Sequence, residues 1–547
     1  MKNFLILVLF FIVSCGIIGK NVKEKPPITP YWALGHIVWE DSINTQNSAV
    51  DLIKQYREHN IPVSGIIIDS PWSMSYNDFN WDKLRYPEPD KMIKGFMKEN
   101  IRTILWLTGC INSTAKDVPL QLSPEYDYAK KQKYVINNGK ESHWWKGNGL
   151  HLDFTNKEAV KWWNNQLDKV FTDGVYGWKV DQGEAGFGDT VITSTGKKSL
   201  DEFKKYYYNS MFDYATSHKN GEGMILARPY SHQAKNSGFC AAVPKMSVGW
   251  CGDFQGNWEG LKLQINNIYI SAEAGYGALA CEIGGFQSAR SNKAQLIRYV
   301  QFASMVATMI NGGANGAFTN HLPWYHDRET ADIYRFYTNL HYELRGYIFS
   351  ELVNAHQNSG SLLKNVSIKD ESHMLGNDIF FKAITSDTNL ISVTLPKSSD
   401  WIDFWTNNKY PENVIITKEY SLDKAPIFIK AGAIIPLEIK NSVTGLGNKS
   451  YRGKITVLIY PDKKSRYVYH KPLGDGTAYK DIEFIYNNGK ISVKSDESES
   501  FVFLIKTDEN QIIKNVEGCD TFRYDPQKRL LEVEKKGKDF DISIVMK

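Results

Sequence analysis

Eight short apolar runs, most of them separated by helix-length segments, and a C-terminal part that reads only as strands and turns predict the fold class. The expectation is an α/β chain: a (β/α)8 TIM barrel over residues 30–350, then two antiparallel β-sandwich domains at 351–440 and 441–547. A third observation marks the working end of the barrel. The run Gly177-Trp178-Lys179-Val180 stops abruptly at Asp181 and passes into a Gly-rich stretch up to Asp189, where backbone can approach a ligand closely. A carboxylate at the C-terminal end of a parallel strand sits where such barrels place their catalytic groups. An Asp that caps the next helix gives the same local pattern.

From the N-terminus, Met1-Lys2-Asn3 leads into the apolar run Phe4 to Val13 and then Ser14-Cys15-Gly16, the layout of a secretory signal and too short for a comfortable transmembrane span. Ile12-Val13-Ser14-Cys15 is similar to a bacterial lipobox, so residues 1–15 are expected to form a lipoprotein signal peptide with Cys15 lipidated. The acyl chains would tether the protein to the bacterial cell envelope, as a periplasmic or surface lipoprotein. A plain cleaved signal without a role for Cys15 is the alternative. Residues 16–29, polar and Pro-bearing, read as a linker.

The strand runs are Trp32 to Val38, Gly65 to Asp69, Thr103 to Thr108, Gly177 to Asp181, Met224 to Arg228, Met246 to Asp253, Ala278 to Gly284 and Thr308 to Phe318. Asp51 to His59, Asp90 to Lys98 and Lys157 to Phe171 carry the apolar spacing of helices between them. An open doubly wound sheet would use the same alternation, but no Gly-rich dinucleotide fingerprint follows an early strand. Around Phe349 the alternation ends. Strands are expected at Ile379 to Ile384, Asn389 to Leu395, Ala425 to Leu437, Lys454 to Tyr460, Tyr467 to His470, Ile482 to Tyr486 and Glu499 to Ile505, with a linker-like stretch at Lys440 to Lys449 dividing the two sandwich domains.

Composition narrows the function classes. At 547 residues the chain is too long for one core, and 42% hydrophobic with 23% charged residues is ordinary globular content. A formal charge of +4 from scattered lysines offers neither a nucleic-acid stripe nor a polybasic membrane patch, so a lipid anchor would be the one membrane contact. The outlier is 13% aromatic content with 15 tryptophans, which suits a ligand presenting flat C–H faces between hydroxyls, as sugars do. Apart from Cys15, the cysteines Cys110, Cys240, Cys251, Cys281 and Cys519 are widely spread and form neither a disulfide framework nor a metal pattern. No metal ion or organic cofactor is expected.

A second carboxylate closes a strand in Gly249-Trp250-Cys251-Gly252-Asp253. Two carboxylates at one face of a barrel are what glycosidic bond cleavage requires, one charged beneath the anomeric carbon and one protonated beside the departing oxygen.

The barrel region resembles glycoside hydrolase family 31, the retaining α-glucosidases, α-xylosidases and relatives. The matching blocks are Asp78-Phe79-Asn80-Trp81-Asp82 with Pro87-Glu88-Pro89, Asp153-Phe154-Thr155-Asn156 with Trp162-Trp163, Gly177 to Glu184, Trp250 to Asp253, Glu282-Ile283-Gly284-Gly285-Phe286, and Ala425 to Pro436. The resemblance puts the family nucleophile at Asp181 and the acid/base at Asp253, and it implies a retaining, exo-acting α-glycosidase that works on α-linked oligosaccharides. It also implies substrate-binding roles. Asp69 matches the family's hydrogen bond to sugar hydroxyls, with helix capping as the plainer reading; Arg228 matches the arginine beside the nucleophile, with a structural ion pair as the plainer reading. Lys179 shares side parity with Asp181, Trp106 and Trp250 are candidates for stacking on the sugar or for core, and Glu184 and Glu282 orient neighbours.

Three departures leave the glycone open. The family's usual β-sandwich ahead of the barrel is replaced by the short stretch before Pro30. Glu282 stands where Asp is usual, and Asn311 stands where the eighth strand usually carries a sugar-binding histidine. A non-hydrolytic glycan-binding lipoprotein and an α-transglycosidase or lyase on the same scaffold are the competing functions.

Overall fold

The computed structural model describes residues 24–172, 174–181, 187–233, 238–287, 290–312, 321–509 and 511–546. The expected lipidation site Cys15 and the segment Gln182 to Gly186, with Glu184, lie outside the described residues.

Eight parallel strands close a barrel: β1 (His36–Glu40), β2 (Gly65–Ile68), β3 (Arg102–Leu107), β4 (Val175–Val180), β5 (Met224–Ala227), β6 (Val248–Trp250), β7 (Leu279–Ile283) and β8 (Thr308–Gly312). Each of the eight expected runs overlaps one of them, and β1, β3 and β4 reach past the bounds of theirs. Such strands are buried on both faces, which is why they read as continuous apolar runs rather than alternating ones. β1 pairs with β8 to shut the cylinder, His36 opposite Met309 and Trp39 opposite Gly312. Inside, Ile37, Ile67, Ile104, Leu226, Val248 and Ile310 form the packed core of the barrel, with Trp32, Trp39 and Trp250.

Two boundaries differ from expectation for physical reasons. Tyr31–Leu34 forms a 3-10 turn between Pro30 and Gly35, so the first strand starts only at His36 and its end moves to Glu40. Trp32 enters the barrel from below and its indole N–H donates to Glu222 O at 2.8 Å. In the sixth run only Val248–Trp250 is strand, because Gly252 takes φ 115°, a backbone that leaves extended pairing.

Helices α1 (Gln46–Glu58), α2 (Pro89–Lys98), α3 (Lys157–Phe171), α4 (Leu200–Ser217), α5 (Trp258–Glu273), α6 (Lys293–Ala303) and α7 (Arg328–Asn358) surround the barrel. Their starts are written in sequence. Thr45 with Ser48, Ser199 with Glu202 and Asn292 with Gln295 form reciprocal capping boxes, and Asn156, Asn257 and Asp327 accept from first-turn amides. After β3 the chain leaves the barrel rim and builds a small antiparallel sheet from Cys110–Ala115, Ser142–Trp144 and Gly147–His151. This cap stands over the C-terminal ends of the strands.

The C-terminal part consists of β-sheets. A six-stranded sheet and a two-stranded ribbon are followed by two five-stranded sheets, in which every pairing is antiparallel except that of Ile455–Ile459 with Glu499–Lys506. The run Ala425 to Leu437 forms two strands, Ile427–Lys430 in the six-stranded sheet and Ile434–Leu437 in the next, with Gly432 at φ 91° making the corner. Helix α7 ties these sheets to the barrel: Arg345 pairs with Glu438 at 2.9 Å, and His470 N–H donates to Ser350 Oγ at 3.0 Å.

Candidate active site

The side chains that follow the C-terminal ends of the barrel strands converge on a cavity of about 860 Å³. Asp41 follows β1, Asp69 follows β2, Trp106 is the penultimate residue of β3, Asp181 follows β4, Arg228 follows β5 and Asp253 follows β6; all six line it, with Lys179 of β4.

Asp181 is fixed from four directions. Its amide N–H donates to Leu107 O at 3.0 Å and its carbonyl accepts from Tyr207 OH at 2.9 Å. Its carboxylate accepts from the Trp106 indole N–H at 3.0 Å through Oδ2 and from Arg228 Nη2 at 3.1 Å through Oδ1. The same Arg228 nitrogen lies 3.8 Å from Asp253 Oδ2. The two carboxylate oxygens are therefore no further apart than 3.1 and 3.8 Å laid end to end. Nearly all of the roughly 6.5–9.5 Å range used by inverting glycosidases lies beyond that bound, whereas the roughly 5–5.5 Å of retaining ones lies within it.

Asp253 occupies a different environment from Asp181. Its side chain is 27% exposed, and among the described residues no donor lies as close to its carboxylate as Arg228 does to that of Asp181. Burial raises its pKa above the ordinary aspartate range; Arg228 and Lys179 pull it down, while Asp181 and Asp69 push it further up. The loop that carries it is locked by Gln233, whose Oε1 accepts from Asp253 N–H at 2.6 Å and whose amide donates back to Asp253 O. Gly252 makes this possible, since a Cβ there would stand 2.5 Å from Arg228 Nη1 and 2.6 Å from Gln233 Oε1. Burial works against the charge on Arg228, but Asp181 and Asp253 outweigh it and keep the guanidinium cationic.

Lys179 and Asp69 form the second pair. Asp69 Oδ2 accepts from Lys179 Nζ and from the Trp39 indole N–H, both at 2.8 Å, and Oδ1 accepts from Ser70 N–H at 2.7 Å. The ammonium also lies 4.0 Å from the Trp39 ring centre and 4.3 Å from that of Trp250. Burial opposes its charge, and Asp69, Asp181 and Asp253 restore it, so the pKa ends above the usual lysine value. Asp41, across from this pair, is pushed well up by burial and by the neighbouring Asp69.

Two expected sugar contacts lie elsewhere. Trp250 is 2% exposed and sits inside the barrel, where its ring carries the cations of Arg228, at 4.1 Å, and Lys179. Asn311 has the opposite parity from the interior residue Ile310, so β8 directs it outward; its Nδ2 donates to Tyr334 OH at 2.6 Å and His321 O at 3.1 Å. Trp106 faces the cavity but is only 3% exposed, and its indole N–H belongs to Asp181. Glu282, also in the barrel, is 2% exposed, and burial holds its carboxyl well above the usual range beneath Asp253.

Sequence reading missed Asp41, Gln233, Phe286 and the rim residues Arg85, Asp117, Trp145 and Lys146, all of which line the cavity. Asp41 carried a weaker signal than Asp69 or Asp181, since Glu40 stands between it and the apolar run Ile37-Val38-Trp39. Among the described residues, no group of three or more His, Cys, Asp or Glu side chains is arranged to hold a metal ion, and no helix is long and apolar enough to cross a membrane.

The family model described as the glycosyl hydrolases family 31 TIM-barrel domain matches residues 26–351, and that of the family 31 C-terminal domain matches residues 349–435. An isomaltosyltransferase of Sporosarcina globispora is 23% identical over 83% of this chain and 46% of its own length. Alpha-glucosidase 2 of Bacillus thermoamyloliquefaciens is 24% identical over 96% of this chain and 71% of its own. The structure of a cycloalternan-forming enzyme from Listeria monocytogenes, in complex with a pentasaccharide substrate, superposes with a TM-score of 0.81 at 20% identity, over 96% of this chain and 55% of that one. The chain thus spans about half the length of the transferase and of the Listeria enzyme.

Proposed function

The chain belongs to glycoside hydrolase family 31, and from that membership and the paired carboxylates we propose a retaining, exo-acting α-glycosidase that hydrolyses O-glycosidic bonds of α-linked oligosaccharides. The observation that carries this reading is the shared Arg228, 3.1 Å from Asp181 and 3.8 Å from Asp253, whose pKa burial raises; the close cation suits Asp181 to attack and the raised Asp253 to proton donation.

The reaction is double displacement. Asp181 attacks the anomeric carbon as the bond to the leaving oxygen breaks, and Asp253 gives that oxygen its proton. The glycosyl ester on Asp181 is then hydrolysed: Asp253, now ionised, takes a proton from water, the water oxygen bonds to the anomeric carbon, and Asp181 leaves. Two inversions return the α-configuration. Asp41, Asp69 and the Lys179 ammonium surround the glycone hydroxyls. The isomaltosyltransferase and the cycloalternan-forming enzyme among the relatives support a second reading, transfer to a sugar hydroxyl in place of water. We also propose that Cys15 is lipidated and anchors the protein in the cell envelope.

A screen of aryl α-glucoside, α-galactoside, α-xyloside and α-sulfoquinovoside identifies the glycone, and proton NMR of the first product gives the stereochemistry. The α-anomer is expected first, with an Asp181→Ala variant losing turnover but retaining sugar binding. A β-anomer as first product, or near-native rates for that variant, overturns the mechanism. Chromatography of the products separates hydrolysis from transfer.

A further inference from the structure

A second cavity, of about 580 Å³, lies at the N-terminal end of the barrel and shares no lining residue with the catalytic one. Its barrel wall comes from residues that precede the strands: Trp32 of the floor turn, Ser64 before β2 and Asn100 before β3. Helix α7 contributes Tyr342 and Arg345, and the two five-stranded sheets contribute Leu437 and Tyr469. A junction between packed units, with a volume inside the roughly 300–1,000 Å³ range, is where small-molecule sites form.

A buried cation with unmet donors belongs to its wall. The Arg345 side chain is 9% exposed and sits over the Tyr31 ring at 4.3 Å and the Tyr342 ring at 4.8 Å. Its Nη2 donates to Glu438 Oε2 at 2.9 Å, while Nε and Nη1 have no acceptor among the described residues. Unmet donors on a buried charge are costly, which favours an occupant that brings acceptors.

The charges around Arg345 decide what kind of occupant fits. Every charged side chain lining the cavity already has an opposite charge within 3.0 Å. Glu438 holds Arg345 and Lys440; Lys454 and Lys471 hold Glu534 and Glu499; Asp475 and Glu99 hold Arg102 and Arg57. An ionic ligand would have to displace one of these partners. An uncharged one can use the donors and acceptors that the pairs leave over, since neither an ammonium nor a carboxylate is saturated by one partner. Tyr342, Tyr469 and Pro472 supply apolar surface between those groups. Donors, acceptors and apolar patches interleaved in this way match a ring that carries hydroxyls.

We propose that this cleft is a second, non-catalytic binding site for a short uncharged sugar, held by Arg345 and the ion pairs around it. It lies at the opposite end of the barrel from Asp181 and needs no turnover, so it stands apart from the glycosidase reading.

Isothermal titration calorimetry of the full chain with maltose, isomaltose and melibiose tests it. At least one of these sugars should show binding that Asp69→Asn, a change in the catalytic cavity, leaves within about twofold. Tyr342→Ala and Lys471→Met should each weaken that binding about tenfold, and each should still unfold in one cooperative thermal transition. Lys471→Met keeps the side-chain stem, so it carries the test if Tyr342→Ala fails to fold. Sulfate should not displace the sugar. Binding by none of the three sugars, binding lost in Asp69→Asn but kept in both cleft variants, or displacement by sulfate overturns the site. Failure of the chain to turn over any glycoside overturns the glycosidase reading and leaves the cleft standing.

Discussion

Asp181 and Asp253 are the same residue type in one cavity, and in the proposed mechanism their different surroundings suit them to opposite tasks. Asp181 accepts from Trp106 and from the Arg228 cation, whereas Asp253 is raised mainly by burial, with Arg228 opposing. The sign of the pH effect follows. An acid must be protonated to donate, so kcat/KM on a poor leaving group should fall as pH rises through the elevated Asp253 pKa. Asp253→Ala should erase that limb and cost roughly 10²–10⁴-fold on a poor leaving group, and far less on a good one. Equal losses across a leaving-group series would remove Asp253 from the acid role. At this scale Asp69 and Asp181 were readable, because an apolar run that stops at a carboxylate needs no tertiary information, whereas Asp41, behind Glu40, was missed. Asn311 was not readable either, since a side chain inside β8 faces the cavity or α7 according to a one-residue parity that only the register fixes.

Among the elements, α3 matched its expected place to the residue and α2 began one residue early at Pro89, whereas α1 begins at Gln46, well before the expected Asp51. The 3-10 turn at Tyr31–Leu34 departed from expectation, because its residues are as apolar as a strand and only the plugging of the barrel floor by Trp32 chooses the turn. The cap hairpin was also missed: Ser142–Trp144 and Gly147–His151 are too short and too polar to stand out from a loop. Helix α7 carries a prediction of its own. Glu343 is 3% exposed, accepts from Thr444 Oγ1 at 2.6 Å, and burial lifts its pKa to about 7. An unfolded glutamate titrates near pH ~4.3, so between there and about 7 the folded chain keeps a proton that the unfolded chain has lost. Stability from this group therefore falls as pH rises through that window and is level above it. Glu343→Gln should gain up to ~3 kcal/mol over wild type at pH ~8 and nothing at pH ~4, read by urea unfolding at both values. Equal gains at both would show that burial of the charge is not the cause.

Over the whole molecule, the barrel's two ends are divided by task. The first described residues pack at the N-terminal end of the strands: Thr29 Oγ1 donates to Ser247 O at 2.6 Å just before β6, and His356 Nδ1 lies 2.7 Å from Pro26 O. The cavity opens at the other end. A Cys15→Ser variant should move from the membrane fraction to the soluble one with kcat/KM on soluble oligosaccharide unchanged; a wild-type chain found only in the soluble fraction would overturn the anchor. By itself the sequence determined the order of strands and helices and the carboxylates that end the strands, because these are local facts of periodicity, capping and glycine. Tertiary structure decided which of those groups share a site. Asp69 meets Lys179 across 110 positions and Asp181 meets Arg228 across 47, contacts that exist only once the barrel closes and its register turns each side chain inward or outward.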